Sequence, residues 1–322
     1  MPKFAYLIQA HSNFIVFKEL ILALQHPLVD IFIHIDKKVD IEPFKKIIDD
    51  NATYKKNAYF ISDRVDVKWM GFSQVQATLH LLKYAVNNNE YSHISLISGA
   101  DYPVKRIEEI NDFLSKNIHS EFISFWRLSD RPTWLHKIEY YYPIDFIGIR
   151  NWKKDAFKLF FWGLFFSIRH LFPKRSFLKN IEPYGGSSWW TITGDAARFI
   201  VNFSCENTEF NNYYKYCHAS DEMYFQTILL NSRFKENVFM YKEYTQWRND
   251  CRSDEFEDNM LDEKLFNLRF IDWSGRNGFY PTVLDESDYK LILNSNCLFA
   301  RKFDDKKSEK LLSMIKKNNS HE

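Results

Sequence analysis

The chain has 322 residues, of which 45% are hydrophobic, 26% charged and 18% aromatic, enough for a large buried core in one big domain or two modest ones. Forty-three basic side chains against forty-two acidic ones leave no basic excess of the kind that marks a nucleic-acid partner. Cys205, Cys217, Cys251 and Cys297 form no C-x-x-C pair, which argues against a zinc or redox motif and for a reduced chain with incidental thiols.

Apolar runs and helical patterns alternate along the chain, which predicts an α/β fold with a mainly parallel sheet flanked by helices. "FAYLIQA" (4–10) reads as a strand, "NFIVFKELILALQH" as an amphipathic helix, and "VDIFIHID" (29–36) as a second strand ending on an acid. "FKKIIDD" predicts a short helix and "AYFI" (58–61) a third strand. "GFSQVQATLHLLKYAVNN" predicts a long helix opened by Gly71 and Ser73, with Val75, Leu79, Leu82 and Val86 on one face. "SHISLISGADYPV" (92–104) reads as a buried strand running into a polar turn, and "FISFWRL" (122–128) as another strand. The stretch 127–180 is aromatic and irregular.

Beyond it, "SSWWTIT" (187–193) predicts a strand and "GDAARFIVNF" the helix after it. "SDEMYFQTILL" (220–230) predicts a helix capped by Ser220, with Asp221 and Glu222 in its first turn. "NLRFIDWS" (267–274) reads as a late strand, and "DESDYKLILNS" as a helix with "LFARKFD" behind it. The charged tail 305–322 closes the chain, and its "KKNNSHE" end is expected to fray. No repeat and no Pro-, Gly- or Ser-rich linker interrupts the sequence, so one domain over 1–322 is expected. Its nucleotide-binding part covers about 1–125 and its acceptor and catalytic part about 126–304.

The N-terminal apolar run is too short and too quickly polar for a signal peptide, and no stretch reaches the ~18–20 apolar residues of a transmembrane helix. A cytoplasmic protein is therefore expected. "LFFWGLFFSI" (159–168) comes nearest to a membrane segment and is flanked by Lys153, Lys154, Lys158, Arg169, Lys174 and Arg175. This pattern suits a helix lying on an anionic membrane face, and equally a buried helix with solvated ends.

In open α/β sheets ligands gather where strands end. The strand ends here carry "QAHSN", "HIDKK", "SGADYP" and "DWSGRNG". Asp36, closing a strand, suits a ribose hydroxyl or an ordinary turn. No G-x-G-x-x-G and no G-x-x-x-x-G-K-[ST] occurs, which disfavours a dinucleotide fold and a P-loop enzyme. No D-x-D occurs either, so a diphosphate would need neutralising without the usual metal-holding pair. Arg301 and Lys302, adjacent cations between apolar residues, offer that alternative, and an ordinary surface pair is the competing reading. Glu222 suits a base that takes a hydroxyl proton during glycosyl transfer, although the stretch read alone points to helix capping.

Seven stretches in order resemble the core-2/I-branching family of β-1,6-N-acetylglucosaminyltransferases, which also includes peptide O-xylosyltransferases. They are "AYLIQAHSN", "IFIHIDKK", "VKWMGFSQVQATLHLLKYA", "SHISLISGADYPVK", "GSSWWTIT", "SDEMYFQTIL" and "LFARKFD", covering most of 4–304. The resemblance implies a GT-A-type Rossmann-like fold and an inverting transferase that needs no metal or other cofactor. By position it implies Glu222 as the catalytic base, and Lys302 with Arg301 beside it on the donor diphosphate. His11 and Asp36 would line the uridine-ribose pocket, Ser98, Gly99 and Asp101 the donor sugar, and Trp189 and Trp190 the acceptor. A second cation on the diphosphate would be Arg269, Arg276 or neither.

The expectation is a UDP-sugar-dependent transferase, with GlcNAc as the implied sugar, acting on a glycan or lipid-linked oligosaccharide in surface polysaccharide synthesis. The segment 153–175 would touch the inner membrane face, and no nucleic acid would be a partner. The alternatives are UDP-xylose, UDP-glucose or UDP-galactose as donor, a metal-dependent enzyme using Asp101, or a catalytically silent carbohydrate- or nucleotide-binding protein of the same fold.

Overall fold

The computed structural model describes residues 2–51, 56–250 and 266–320, so Cys251 and the last two residues of the tail lie outside the described residues. A six-stranded sheet forms the centre. Its strands are β1 (Phe4–Ala10), β2 (Val29–Ile35), β3 (Ala58–Phe60), β4 (His93–Ser98), β6 (Phe122–Ile123) and β9 (Trp190–Thr193), in the order β3-β2-β1-β4-β9-β6. The first four are parallel, whereas β9 runs antiparallel to both β4 and β6. Side chains alternate across a strand, and β1 divides its residues accordingly. Phe4, Tyr6 and Ile8 pack beneath α1 (Phe14–Ala23), α2 (Glu42–Asp49) and α4 (Ile107–Lys116). Ala5 and Leu7 face α3 (Phe72–Asn88) and the helix Gly194–Glu206. Helices on both faces explain why β1, β2 and β4 are buried along almost their whole length, β4 including its His93, Ser95 and Ser98.

A second sheet joins β5 (Asp101–Pro103), β10 (Arg269–Ile271) and β11 (Phe299–Arg301) in the order β10-β11-β5. Its core includes Tyr102, Phe270 and Phe303 and takes Leu311, Leu312 and Ile315 from the helix Glu309–Ser320. The end expected to fray, "KKNNSHE", is helical as far as Ser320, as the last part of a helix that Leu311, Leu312 and Ile315 anchor from its earlier turns. The single strand expected over 122–128 is divided: β6 pairs with β9, and β7 (Trp126–Arg127) pairs with β8 (Tyr184–Gly185) in a separate ribbon. The break falls at Ser124, whose Oγ accepts from Ser187 N–H at 2.7 Å, and a Cβ on Gly186 would lie 1.9 Å from Ser124 O.

The stretch 127–180 contains short helical turns and the helix Ala156–Ile168. Tyr142, Ile144, Ile149 and Trp162 form a small satellite core there. None of the described helices is long and apolar enough to cross a membrane.

Candidate functional site

Chain order reverses between β1 and β4, since β2 and β3 lie beyond β1 on one side and β4 on the other. Such a switch point leaves a crevice at the strands' carboxyl ends. His11 follows β1, and Ser98 and Gly99 stand at the end of β4. Gly99 N–H donates to Gln9 O at 2.8 Å, and a Cβ there would lie 2.6 Å from Ala10 Cβ, so this approach requires glycine. Asn13, in the left-handed region at φ 60°, turns the chain into α1 and donates to Phe303 O at 3.1 Å. Asp305 accepts from Val16 N–H at 2.9 Å and serves the amino end of α1. These bonds hold the segment containing Lys302 against the turn that carries His11.

Asp36 stands where β2 ends. Its carboxylate accepts from Lys38 N–H at 3.0 Å and pairs with Lys38 Nζ at 3.3 Å, while its N–H donates to Ala10 O. Asp101 is 1% exposed and both of its oxygens are engaged. One accepts from Ser98 N–H at 2.9 Å, and the other meets Arg301 Nη1 at 2.6 Å across the β5–β11 ladder. The Arg301 guanidinium lies over the Trp189 ring, 4.3 Å from its centre. Asp101, Arg301 and Trp189 thus form a stack that fixes the end of β11. Trp190, one residue on, is fully buried in the main core beside Phe225.

Lys302 is half-buried and has no carboxylate partner among the described residues. Burial, then the charges of Arg301 and Arg150, holds its ammonium below the ordinary lysine range. Desolvation and the same cations hold the His11 imidazole low, against the pull of Asp36. Arg150 is thereby a member of this cluster that sequence reasoning missed. It is exposed and follows the turn Ile144–Ile147, which Asp145 ties to α3 by accepting from Ser73 Oγ at 2.6 Å. The cations named beforehand are committed elsewhere. Arg269 is fully buried and donates to Asn267 O, Trp190 O and Thr191 Oγ1, and burial draws its pKa down to about 10. Arg276 is paired with Asp288 and lies 3.8 Å from both Asp272 and Asp285.

Glu222 occupies a second centre. The expected capped helix is instead a 3₁₀ turn, Ser220–Glu222, followed by the helix Tyr224–Leu230. Ser220 does not cap: its hydroxyl donates backward to Tyr214 O and Cys217 O, and Ala219 is left-handed at φ 55°. The charge that faces Glu222 comes from Lys137, whose Nζ lies 2.7 Å from Oε2 and over the Trp134 ring. Oε1 has no hydrogen-bond partner among the described residues. Asp221 is buried and accepts from Ser188 Oγ at 2.6 Å; burial, then the Glu222 charge, pushes its carboxyl well up. Gly186 N–H donates to Glu222 O at 2.8 Å. The loop 185–189 therefore connects the two centres, with Ser188 on the acid pair and Trp189 beneath Arg301. Lys137 and Arg150 both come from the irregular stretch 127–180, where no periodicity marks them.

A family model described as "Core-2/I-Branching enzyme" matches residues 4–288. The "Probable beta-1,3-galactosyl-O-glycosyl-glycoprotein beta-1,6-N-acetylglucosaminyltransferase 7" of Sus scrofa is 27% identical over 107 residues, 33% of this chain and 25% of that protein. The "Beta-glucuronosyltransferase GlcAT14A" of Arabidopsis thaliana is 23% identical over 318 residues, 94% of this chain and 61% of that protein. "Xylosyltransferase 2" of Rattus norvegicus is 23% identical over 323 residues, 98% of this chain and 33% of that protein. The matched regions thus span between 25% and 61% of these relatives' lengths.

Proposed function

This chain belongs to the Core-2/I-Branching enzyme family, and from that premise we propose that it is an inverting, metal-independent glycosyltransferase that moves a sugar from a UDP-sugar to an acceptor hydroxyl. The observation that carries the reading is a sheet switch point at which Lys302 and Arg150 have no carboxylate partner among the described residues, together with a carboxylate, Glu222, whose Oε1 has no hydrogen-bond partner among them. In this reaction the acceptor oxygen attacks the anomeric carbon, the bond from that carbon to the diphosphate oxygen breaks, and UDP departs with the electron pair. Glu222 Oε1 takes the acceptor's proton. Lys137, on the other oxygen, fixes the carboxylate's orientation.

Lys302 and Arg150 offset the charge that grows on the leaving diphosphate, and Arg301 braces them from the Asp101 pair. Fixed cations of this kind do the electrostatic work otherwise given to a metal. Asp101, with both oxygens engaged, would have to release Arg301 before it held a cation. His11 and Asp36 lie on the nucleotide side of the crevice, Ser98 and Gly99 by the donor sugar, and Trp189 at the passage toward the acceptor. The acceptor is a glycan or a lipid-linked oligosaccharide used for surface polysaccharide, and GlcNAc is the first sugar to test.

The relatives' names include acetylglucosaminyl, glucuronosyl and xylosyl transfer. The test is therefore UDP release from UDP-GlcNAc, UDP-glucuronic acid, UDP-xylose, UDP-glucose and UDP-galactose, with and without EDTA. Turnover of one donor that persists in EDTA supports the reading. Turnover that vanishes in EDTA and returns with manganese would overturn the metal-free mechanism.

A further inference from the structure

The helix Ala156–Ile168 carries "AFKLFFWGLFFSI", and Trp162 is the only one of its residues that is buried. Phe157, Phe160 and Leu164, spaced for one helical face, are 67%, 70% and 48% exposed. The chain then continues through Leu171 and Phe172, 72% and 60% exposed. Monomeric proteins rarely leave so much contiguous aromatic surface in water without a partner. The helix is attached firmly on its other side: Trp162 Nε1–H donates to Gly148 O at 3.0 Å, and Arg169 donates to Tyr142 OH at 2.8 Å.

Along this segment the sequence is one-sided in charge. Residues 150–175 contain seven Lys or Arg side chains and one acid, Asp155, and of the seven Lys174 is paired with Glu139 at 2.8 Å. That acid caps the helix by accepting from Lys158 N–H at 3.0 Å. Lys153, Lys154 and Lys158 have no carboxylate partner among the described residues. At thirteen residues the helix is about 20 Å long, too short to span a ~30 Å hydrocarbon layer but well suited to lie along its surface.

We propose that the helix Ala156–Ile168 and the turn through Phe172 seat this protein on an anionic lipid surface, with the aromatic face in the headgroup–acyl boundary and Lys153, Lys154 and Lys158 on lipid phosphates. Charge complementarity selects lipid over a second copy of the chain, because a self-pairing of this face would bring Lys153, Lys154 and Lys158 of two copies together. The attachment has a consequence for the candidate site. Gly148, bonded to Trp162, is two residues from Arg150, so the surface that meets lipid also carries a wall of the donor crevice. Binding itself does not rest on the proposed transferase activity; only the delivery of a lipid-carried acceptor does.

The test is sedimentation of the full chain with vesicles of phosphatidylcholine alone and of phosphatidylcholine with 30% phosphatidylglycerol. Two variants accompany it, Phe157→Ser with Phe160→Ser, and Lys153→Glu with Lys154→Glu and Lys158→Glu. All five positions lie at or near the surface, and melting temperature checks that each variant folds. The expected result is binding to the anionic vesicles at least tenfold tighter than to neutral ones, falling with salt. Each variant should lose at least tenfold. Absence of binding to anionic vesicles would overturn the proposal, as would binding that both variants retain. A dimer in light scattering that the Phe variant dissolves, without vesicle binding, would assign the face to a second copy instead.

Discussion

Replacing Asp101 by Asn removes the anion that Arg301 meets at 2.6 Å while leaving the side-chain volume almost unchanged. At an effective dielectric of 20, unit charges at that separation attract by about 6 kcal/mol, and desolvation of the buried carboxylate offsets much of this. Deleting one partner of a buried pair costs about 3–5 kcal/mol, because the remaining charge stays buried. Arg301 is 16% exposed and rests on the Trp189 face, so part of its environment survives and the low end applies, about 3 kcal/mol. The Asn oxygen can still accept from Ser98 N–H, but its amide then presents a donor to a donor. Urea unfolding measures the loss, and calorimetry measures UDP affinity, expected to weaken about tenfold as Arg301 shifts beside Lys302. In a double-mutant cycle, Arg301→Met should make Asp101→Asn much less costly. A loss below about 1 kcal/mol would reduce the pair to the worth of a surface bridge and refute its role in holding β11.

Lys302→Met should weaken UDP by about ten- to hundredfold, the worth of a charged hydrogen bond, yet make the unliganded chain more stable at pH 7.5. The sign follows from the lowered lysine pKa: the folded state disfavours the charged form, a cost that fades only as pH rises through the folded value toward 10.5. Arg150→Ala should lower UDP affinity about tenfold with no change in melting temperature, since the side chain is exposed; an unchanged Kd would remove Arg150 from the site. Glu121 is fully buried, accepts from Thr193 N–H and Oγ1, and is pushed up to about 7 by burial. Its raised value stabilises the fold at low pH and loses that contribution as pH rises from about 4.5 to 7. Wild type should therefore fall relative to Glu121→Gln by on the order of 2–3 kcal/mol between pH 5 and 8, read by urea denaturation.

The parallel half of the sheet was legible because its strands are short and mainly apolar in β1 and β2 and its helices carry a 3.6-residue stripe; β1 begins and ends where the pattern does. β9 was visible as a strand but not as antiparallel, since direction is set by connections through the irregular stretch. The Ser124 break in "FISFWRL" depends on bonds from a loop more than sixty residues away. The acid pair at 221 and 222 drew attention as a helix cap, and the structure retains its prominence while replacing the helix terminus by Lys137. Lys137 and Arg150 were invisible because single-turn helices leave no period and a lone cation gives no local signal. The tail misled through composition: Leu311, Leu312 and Ile315 outweigh the charges around them.

The most direct test of the central claim is Glu222→Gln measured for donor binding and turnover together. The change removes the proton-accepting charge and keeps the shape of the side chain. UDP affinity within twofold of wild type, with kcat lowered by about 10²–10⁴, is the result predicted for a general base. Wild-type turnover by the variant would contradict the account, because the acceptor's proton would then be leaving by another route.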